Sequence, residues 1–285
     1  MLPDFSIIDT HVHLWDPKFL RYPWLDEVVL LNKPYLLDDY NQATQSLNIE
    51  QMVFVQCECE PAQCMEEAVW VSELAKSDQR IRGIVPWAPL EQGDGVRDVL
   101  ERYAENPLIK GVRRIIQFEP DPDFCLQPTF VQGVRMLADY DFTFDICISH
   151  GQLQQVLQLI KQCPHVRFIL DHAGKPDIKN GLFQSWYTDI QALAALEHVQ
   201  CKLSGLVTEA NHNTWKLVDL KPYVEGVLES FGTDRVLFGG DWPVVYQAAS
   251  YARWIETLDI LFSGLSSFEL QQIYYDNAIH FYQLK

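Results

Sequence analysis

The chain has 285 residues, 48% hydrophobic and 21% charged, with a formal net charge of -17. This is the composition of a globular protein with a sizeable core, and the acid excess excludes nucleic acid and anionic membranes as partners, because both require a basic face. Length alone admits one or two domains, with (β/α) barrels of about 250 residues as a single-domain exception.

Strand-like and helix-like segments alternate along the chain. An apolar strand at about 5–10 runs into His11 and His13. A loop rich in Trp, Pro and Tyr follows, including Tyr22-Pro23-Trp24-Leu25, and then a helical pattern near 38–47. Strands at 51–56 and 81–87 precede helices at 62–77 and 96–103. Strands at 109–116 and 142–149 precede helices at 131–140 and 153–161. The last three strands, 166–170, 200–203 and 235–238, precede helices near 183–196, 223–231 and 248–262. A final helix spans about 267–275. Eight strand–helix units imply parallel strands with crossover helices. They predict an α/β fold, a closed (β/α)8 TIM barrel, as one domain over 1–285. An open doubly wound sheet usually carries a glycine-rich phosphate loop after its first strand; this chain has Thr10-His11-Val12-His13 there.

The seven cysteines are Cys57, Cys59, Cys64, Cys125, Cys147, Cys163 and Cys201. Their odd number and apolar settings suit buried free thiols in a reducing compartment, and no second close pair completes a zinc cluster. The chain opens Met1-Leu2-Pro3-Asp4 without a basic, then apolar, leader, and no apolar run reaches membrane-spanning length. A cytoplasmic address is the expectation.

Catalytic residues of a barrel sit at the C-terminal ends of its strands. The first strand ends in His11 and His13, which period-two alternation places on one face. Together they can hold a divalent metal or polarise a carbonyl. The eighth ends Gly239-Gly240-Asp241-Trp242-Pro243, and closure makes it a neighbour of the first. Asp241 can ligate a metal, take a proton from water, or do both in turn. His172, after the sixth strand, faces them. Arg113 and Arg114 alternate on the fourth strand, so one points inward to bind an oxyanion, a carboxylate or sugar hydroxyls; Lys175 can do the same from a loop. Trp15, Tyr22, Trp24, Trp87 and Trp242 lie near strand ends, where flat faces suit a sugar ring or lactone. His150, if turned inward, adds a fourth ligand; His165, His198, His212 and His280 fall in helices and loops.

These residues resemble the amidohydrolase superfamily (amidohydrolase-2 type). Within it, the chain is similar to the sugar-lactone hydrolase branch, with its L-fuconolactone, L-rhamnonolactone and pyrone-dicarboxylate hydrolases. The markers are Asp9-Thr10-His11-Val12-His13-Leu14-Trp15, Tyr22-Pro23-Trp24-Leu25, Gly111-Val112-Arg113-Arg114-Ile115-Ile116-Gln117, Asp171-His172-Ala173-Gly174-Lys175-Pro176, Lys202-Leu203-Ser204-Gly205-Leu206 and Phe238-Gly239-Gly240-Asp241-Trp242-Pro243. The resemblance implies hydrolysis of a small-molecule sugar lactone. Asp241 acts as base on water, and His11, His13 and His172 polarise the carbonyl. Arg113, Trp24, Tyr22, Lys175 and Trp242 contact substrate. Superfamily members bind one or two metals, using a strand-five histidine or a modified strand-four lysine. Here strand four carries arginines and strand five no histidine. That points away from a binuclear centre and leaves one divalent ion, zinc first, weakly held or absent, on His11, His13 and Asp241 with His150 or His172 as further ligands. The competing readings are a zinc-dependent non-oxidative decarboxylase and a non-catalytic sugar-acid-binding barrel. The lactone and the oligomeric state are left open.

Overall fold

Burial of apolar strands on both faces dictates the architecture. The computed structural model describes residues 5–285, so the chain start at Met1–Asp4, on which the expectation of no leader partly rests, lies outside the described residues. Eight parallel strands are present: β1 (Ile7–Val12), β2 (Ile49–Val55), β3 (Ile81–Val85), β4 (Gly111–Arg113), β5 (Thr143–Ile146), β6 (Arg167–Leu170), β7 (Val199–Leu203) and β8 (Val236–Phe238). The helices are α1 (Leu37–Thr44), α2 (Cys64–Ser77), α3 (Arg97–Ala104), α4 (Pro128–Met136), α5 (Leu153–Gln162), α6 (Gln184–Ala194), α7 (Leu217–Phe231), α8 (Tyr251–Leu261), α9 (Ser267–Gln271) and α10 (Asn277–Tyr282). Strands β1–β3 and β4–β8 form two runs. Bridges between Ile84 and Ile109 and between Val12 and Trp242 join them into a closed barrel. At the β1–β8 seam, His13 N donates to Trp242 O at 2.8 Å and Asp241 N to His11 O at 2.8 Å. The expected (β/α)8 barrel is the observed fold.

Alternation sorts each strand. Ile8, Val53, Val55, Val85, Ile169 and Leu237 pack inside the barrel with Ala278, Phe281 and Tyr282 of α10. Met52 and Phe54 join the outer core under the helices. Arg167, the first residue of β6, donates to the Phe281 carbonyl, so α10 plugs the N-terminal end and leaves the other end open. A register slip interrupts β1, where Asp9 pairs with Met52 but Val12 with Phe54. Three steps on β1 oppose two on β2, and such bulges re-aim side chains. Ile8 points into the barrel, Asp9 meets Tyr40 of α1 and Tyr251 of α8, and His11 meets Arg113 and Lys202.

Two helices exceed their sequence-based bounds. Helix α7 starts at Leu217, ahead of the expected 223, and carries Pro222 inside it. The Asp219 carboxylate accepts from Lys216 N at 2.8 Å and caps the first turn, so the proline removes only one ladder bond near the start. The final helix runs beyond 275 through a π-helical turn, Gln272–Asp276, into α10, because Ala278, Phe281 and Tyr282 go on burying apolar surface. All seven cysteines are free and buried. Among the described residues no helix is long and apolar enough to cross a membrane.

Candidate active site

The open end of the barrel holds a cavity of about 480 Å³, lined by His13, Trp24, Arg113, His172, Lys175 and Asp241 among others. His11 lies behind this lining, in contact with Arg113 and fully buried. Its Nε2 is 3.2 Å from Arg113 Nη1 and 3.8 Å from Asp241 Oδ1. Its Nδ1 is 3.4 Å from Lys202 Nζ and 3.5 Å from Asp171 Oδ1. His13 Nδ1 lies 2.7 Å from the Val55 carbonyl, which can only accept, so that nitrogen carries the proton and Nε2 turns to Asp241 Oδ1 at 3.5 Å. His172 Nδ1 contacts Ser204 Oγ at 2.9 Å. Burial pushes all three imidazoles below their ordinary range, His172 to about 4. Burial alone raises the Asp241 carboxyl; His172, His13 and His11 outweigh it and hold the group well below the usual carboxylate range. The result is a carboxylate surrounded by three imidazoles.

Backbone sign shapes this end. His172 (φ 54°), Ala173 (52°), Gly174 (70°) and Lys175 (48°) are successive left-handed residues, and Asp241 (53°) is another. L side chains disfavour that region, and such outliers gather at functional sites. At Gly205, a Cβ would come within 2.5 Å of His172 Nδ1 and 2.9 Å of Asp241 Oδ2; only glycine lets the two side chains meet over β7. Asp9 ties the strands that carry His11 and Asp241. Its carboxylate accepts from His11 N (3.0 Å), Gly240 N (2.8 Å), Tyr40 Oη (3.0 Å) and Tyr251 Oη (2.6 Å).

His11, His172 and Asp241 form a group whose ligand atoms lie within 4.8 Å of one another. Of the two further ligands expected, His172 stands in that group and His150, which heads a turn after β5, does not; His13 Nε2 lies 3.5 Å from Asp241 Oδ1, outside the group. Two neutral imidazoles and a carboxylate fit a single divalent ion, zinc included. An Arg113 N–H competes with an ion for the His11 Nε2 lone pair.

Beneath His11, Lys202 Nζ pairs with Asp145 at 2.6 Å and Asp171 at 3.0 Å, all fully buried. Tyr282 Oη donates to Asp145 at 2.6 Å, and Arg113 Nη1 lies 3.4 Å from Asp171. Burial opposes the Asp171 charge, but Lys202, His11 and Arg113 prevail and hold its carboxyl well below the ordinary range. Sequence reasoning assigned Asp145, Asp171 and Lys202 no role. A lone charge inside an apolar strand, as in Phe144-Asp145-Ile146 or Cys201-Lys202-Leu203, was the available signal, since it must find a partner.

The inward arginine is Arg113; Arg114 turns away to Glu91 (3.2 Å) and Glu119 (2.5 Å). Trp15, Trp24, Trp87 and Lys175 line the cavity, and Lys175 Nζ donates to Gln117 Oε1 at 2.5 Å. Two expected contact residues stand elsewhere. Tyr22 is 1% exposed, and Trp242 is fully buried against Tyr35 and Tyr40, because the left-handed Asp241 turns the chain outward. His212, placed in a loop without a role, lines the cavity, as do Glu58, Gln117 and Glu209.

Behind the wall, Glu67 of α2 accepts from Cys57 N at 3.3 Å and is 1% exposed. Burial pushes its carboxyl up to about 8. The unfolded chain releases this proton near 4.5 and the folded one only near 8, so stability falls as pH rises through that window. Glu67→Gln keeps an acceptor for Cys57 N but cannot ionise. It is expected to raise stability at pH 8 by ~2–4 kcal/mol and to flatten the slope between about pH 5 and 8 in urea denaturation. An unchanged slope would place the titration elsewhere.

Comparison with known proteins follows the same lines. The chain is 31% identical over 300 residues to an L-fucono-1,5-lactonase of Burkholderia multivorans (strain ATCC 17616 / 249), covering 97% of this chain and 96% of that one. An L-fucono-1,5-lactonase of Burkholderia ambifaria is 28% identical, with 97% of this chain and 95% of that one covered. A crystal structure of an amidohydrolase from Burkholderia multivorans with bound zinc superposes with a TM-score of 0.89 at 30% identity, over 99% of this chain and all of that one. The amidohydrolase family profile matches residues 8–284. With strand-end histidines, the β8 aspartate and this match over nearly its whole length, the chain belongs to the amidohydrolase family.

Proposed function

We propose that the protein hydrolyses a sugar (aldono-) lactone to the sugar acid, with Asp241 as the base. The observation that carries this is a buried carboxylate 3.5 Å from His13 and 3.8 Å from His11, at the floor of a Trp-lined cavity. The relatives named L-fucono-1,5-lactonase support the substrate class. Asp241 accepts a proton from water as the water oxygen bonds to the lactone carbonyl carbon. The carbonyl electron pair moves onto oxygen, where the Arg113 guanidinium stabilises it. When Ser204 donates to Nδ1, His172 presents Nε2–H to the same oxygen; in its other tautomer it offers a metal a lone pair. The pair then returns, the ring C–O bond breaks, and the leaving alkoxide takes the proton from Asp241. The new carboxylic acid ionises and releases a proton. A divalent ion, zinc first, would be held by His11, His172 and Asp241, and when bound it supplies Lewis-acid polarisation. The buried free thiols fit the reducing cytoplasm.

The test is a pH-indicator assay on L-fucono-, L-rhamnono-, D-arabinono- and L-galactono-lactones, with and without chelator. Turnover of at least one is expected. Loss on chelation, with recovery on zinc or manganese, would assign the histidines and Asp241 as working ligands; insensitivity would assign the chemistry to the side chains alone. No turnover on any lactone would overturn the proposal.

A further inference from the structure

Resting on the lactonase reading, we propose that Glu58 binds ring hydroxyls of the substrate, so that the cavity selects uncharged, polyhydroxylated lactones over bare or anionic ones. Among the described residues, seven that are not glycine have a left-handed backbone: Glu58, Asp141, His172, Ala173, Lys175, Asp241 and Gln283. Of these, Glu58, His172, Lys175 and Asp241 line the cavity. Three already have a place in the site, and Glu58 (φ 53°) is the fourth. A strained backbone kept at a pocket wall is an observation from which function is inferred.

The side chain is also held for a task. Gln56 Nε2 donates to Glu58 Oε1 at 2.7 Å, and Glu58 N donates to Gln56 Oε1 at 2.6 Å. Gln56 is itself fully buried, and its carbonyl takes an N–H of Arg113. One carboxylate oxygen is thus fixed, on the same support as the Arg113 guanidinium. The other, Oε2, has no hydrogen bond among the described residues. A carboxylate is an acceptor only, and a free oxygen on a cavity wall suits the donating hydroxyls of a polyol. The lining adds the Glu209 and Asp241 carboxylates and the Lys175 and Arg113 cations, Lys175 donating to Gln117 and Arg113 lying beside Asp171. A carboxylate or sulfonate seated against Glu58 would meet a like charge, whereas a hydroxyl there donates to it.

The experiment compares kcat/KM for an L-fucono-1,5-lactone, δ-valerolactone (the same ring without hydroxyls) and a glucarolactone (hydroxyls plus a carboxylate), in wild type and Glu58→Gln. The amide retains the shape and can still pair with Gln56. The expected result is a ~10- to 100-fold loss on the aldonolactone, the worth of hydrogen bonds to a charged group. The loss on δ-valerolactone is at most about 2-fold, and preference over the glucarolactone narrows. Equal loss on both neutral lactones would make Glu58 a structural residue, and no loss on either would remove it from the substrate; both overturn the inference while leaving the lactonase reading intact. A wild type inactive on every lactone overturns the lactonase reading instead. If Glu58→Gln does not fold, Glu58→Gly, which suits the left-handed backbone, carries the same comparison, with a melting curve as the folding control.

Discussion

Replacing Asp241 with Asn is expected to lower kcat by ~10²–10⁴-fold while moving KM only a few-fold, the range general base catalysis supplies. The substitution keeps the shape of a side chain packed between three imidazoles and facing Gly205. It removes the charge that accepts the proton from water. Burial opposes that charge, and the surrounding imidazoles sustain it, so an amide here is no harder to bury and the variant should fold. The kcat-against-KM split separates base from binding group, because a group that only holds substrate raises KM. Metal content measured on the same preparations separates base from ligand. Near-wild-type kcat on a lactone the wild type hydrolyses would falsify the assignment.

Lys202→Met is expected to destabilise the protein by ~3–5 kcal/mol, the usual result of breaking a buried ion pair from one side. Lys202 is the ammonium between Asp145 and Asp171, at 2.6 and 3.0 Å, and all three are fully buried. Methionine fills much of the volume and leaves two carboxylates facing each other. Melting temperature should fall on the order of 10 °C for a chain this long. Asp171 adds a pH signature. Its folded carboxyl lies well below its unfolded value, so it contributes stability above the ordinary carboxylate range that is lost as pH falls through the folded value. Without Lys202 that depression shrinks, and acid unfolding should begin at higher pH. The double variant Lys202→Met with Asp145→Asn should recover part of the loss, since one uncompensated charge goes with the amide. A single variant melting within about 2 °C of wild type would show that the network carries little of the fold's stability.

His11, His13, His172 and Asp241 were legible because each lies at or just past the end of an apolar strand, and a parallel barrel brings strand ends to one mouth whatever the details of packing. Closure put Asp241 beside His11 for the same reason. The chemistry of the cysteines was equally local: apolar neighbours bury them, and burial keeps the thiol protonated. The inward choice of Arg113 over Arg114 was not legible, since alternation gives two faces and only the closed sheet says which is inside. The same holds for Tyr22 and Trp242, aromatic residues beside the mouth whose rings the backbone sends into the core. His172, expected as a further ligand, joins His11 and Asp241 in one donor group because a run of left-handed residues turns it toward Asp241, and no sequence period encodes that sign. The bulge at Asp9–Val12 belongs to the same class. Lys202 was visible as a charge in an apolar strand, but its partners come from β5 and the end of β6. The amino-acid sequence by itself determined the strands, their order and the residues at their ends, because these follow from local periodicity and chain connectivity. Only the tertiary structure decided which of those residues meet, because burial, backbone sign and charge pairing depend on neighbours far away in sequence.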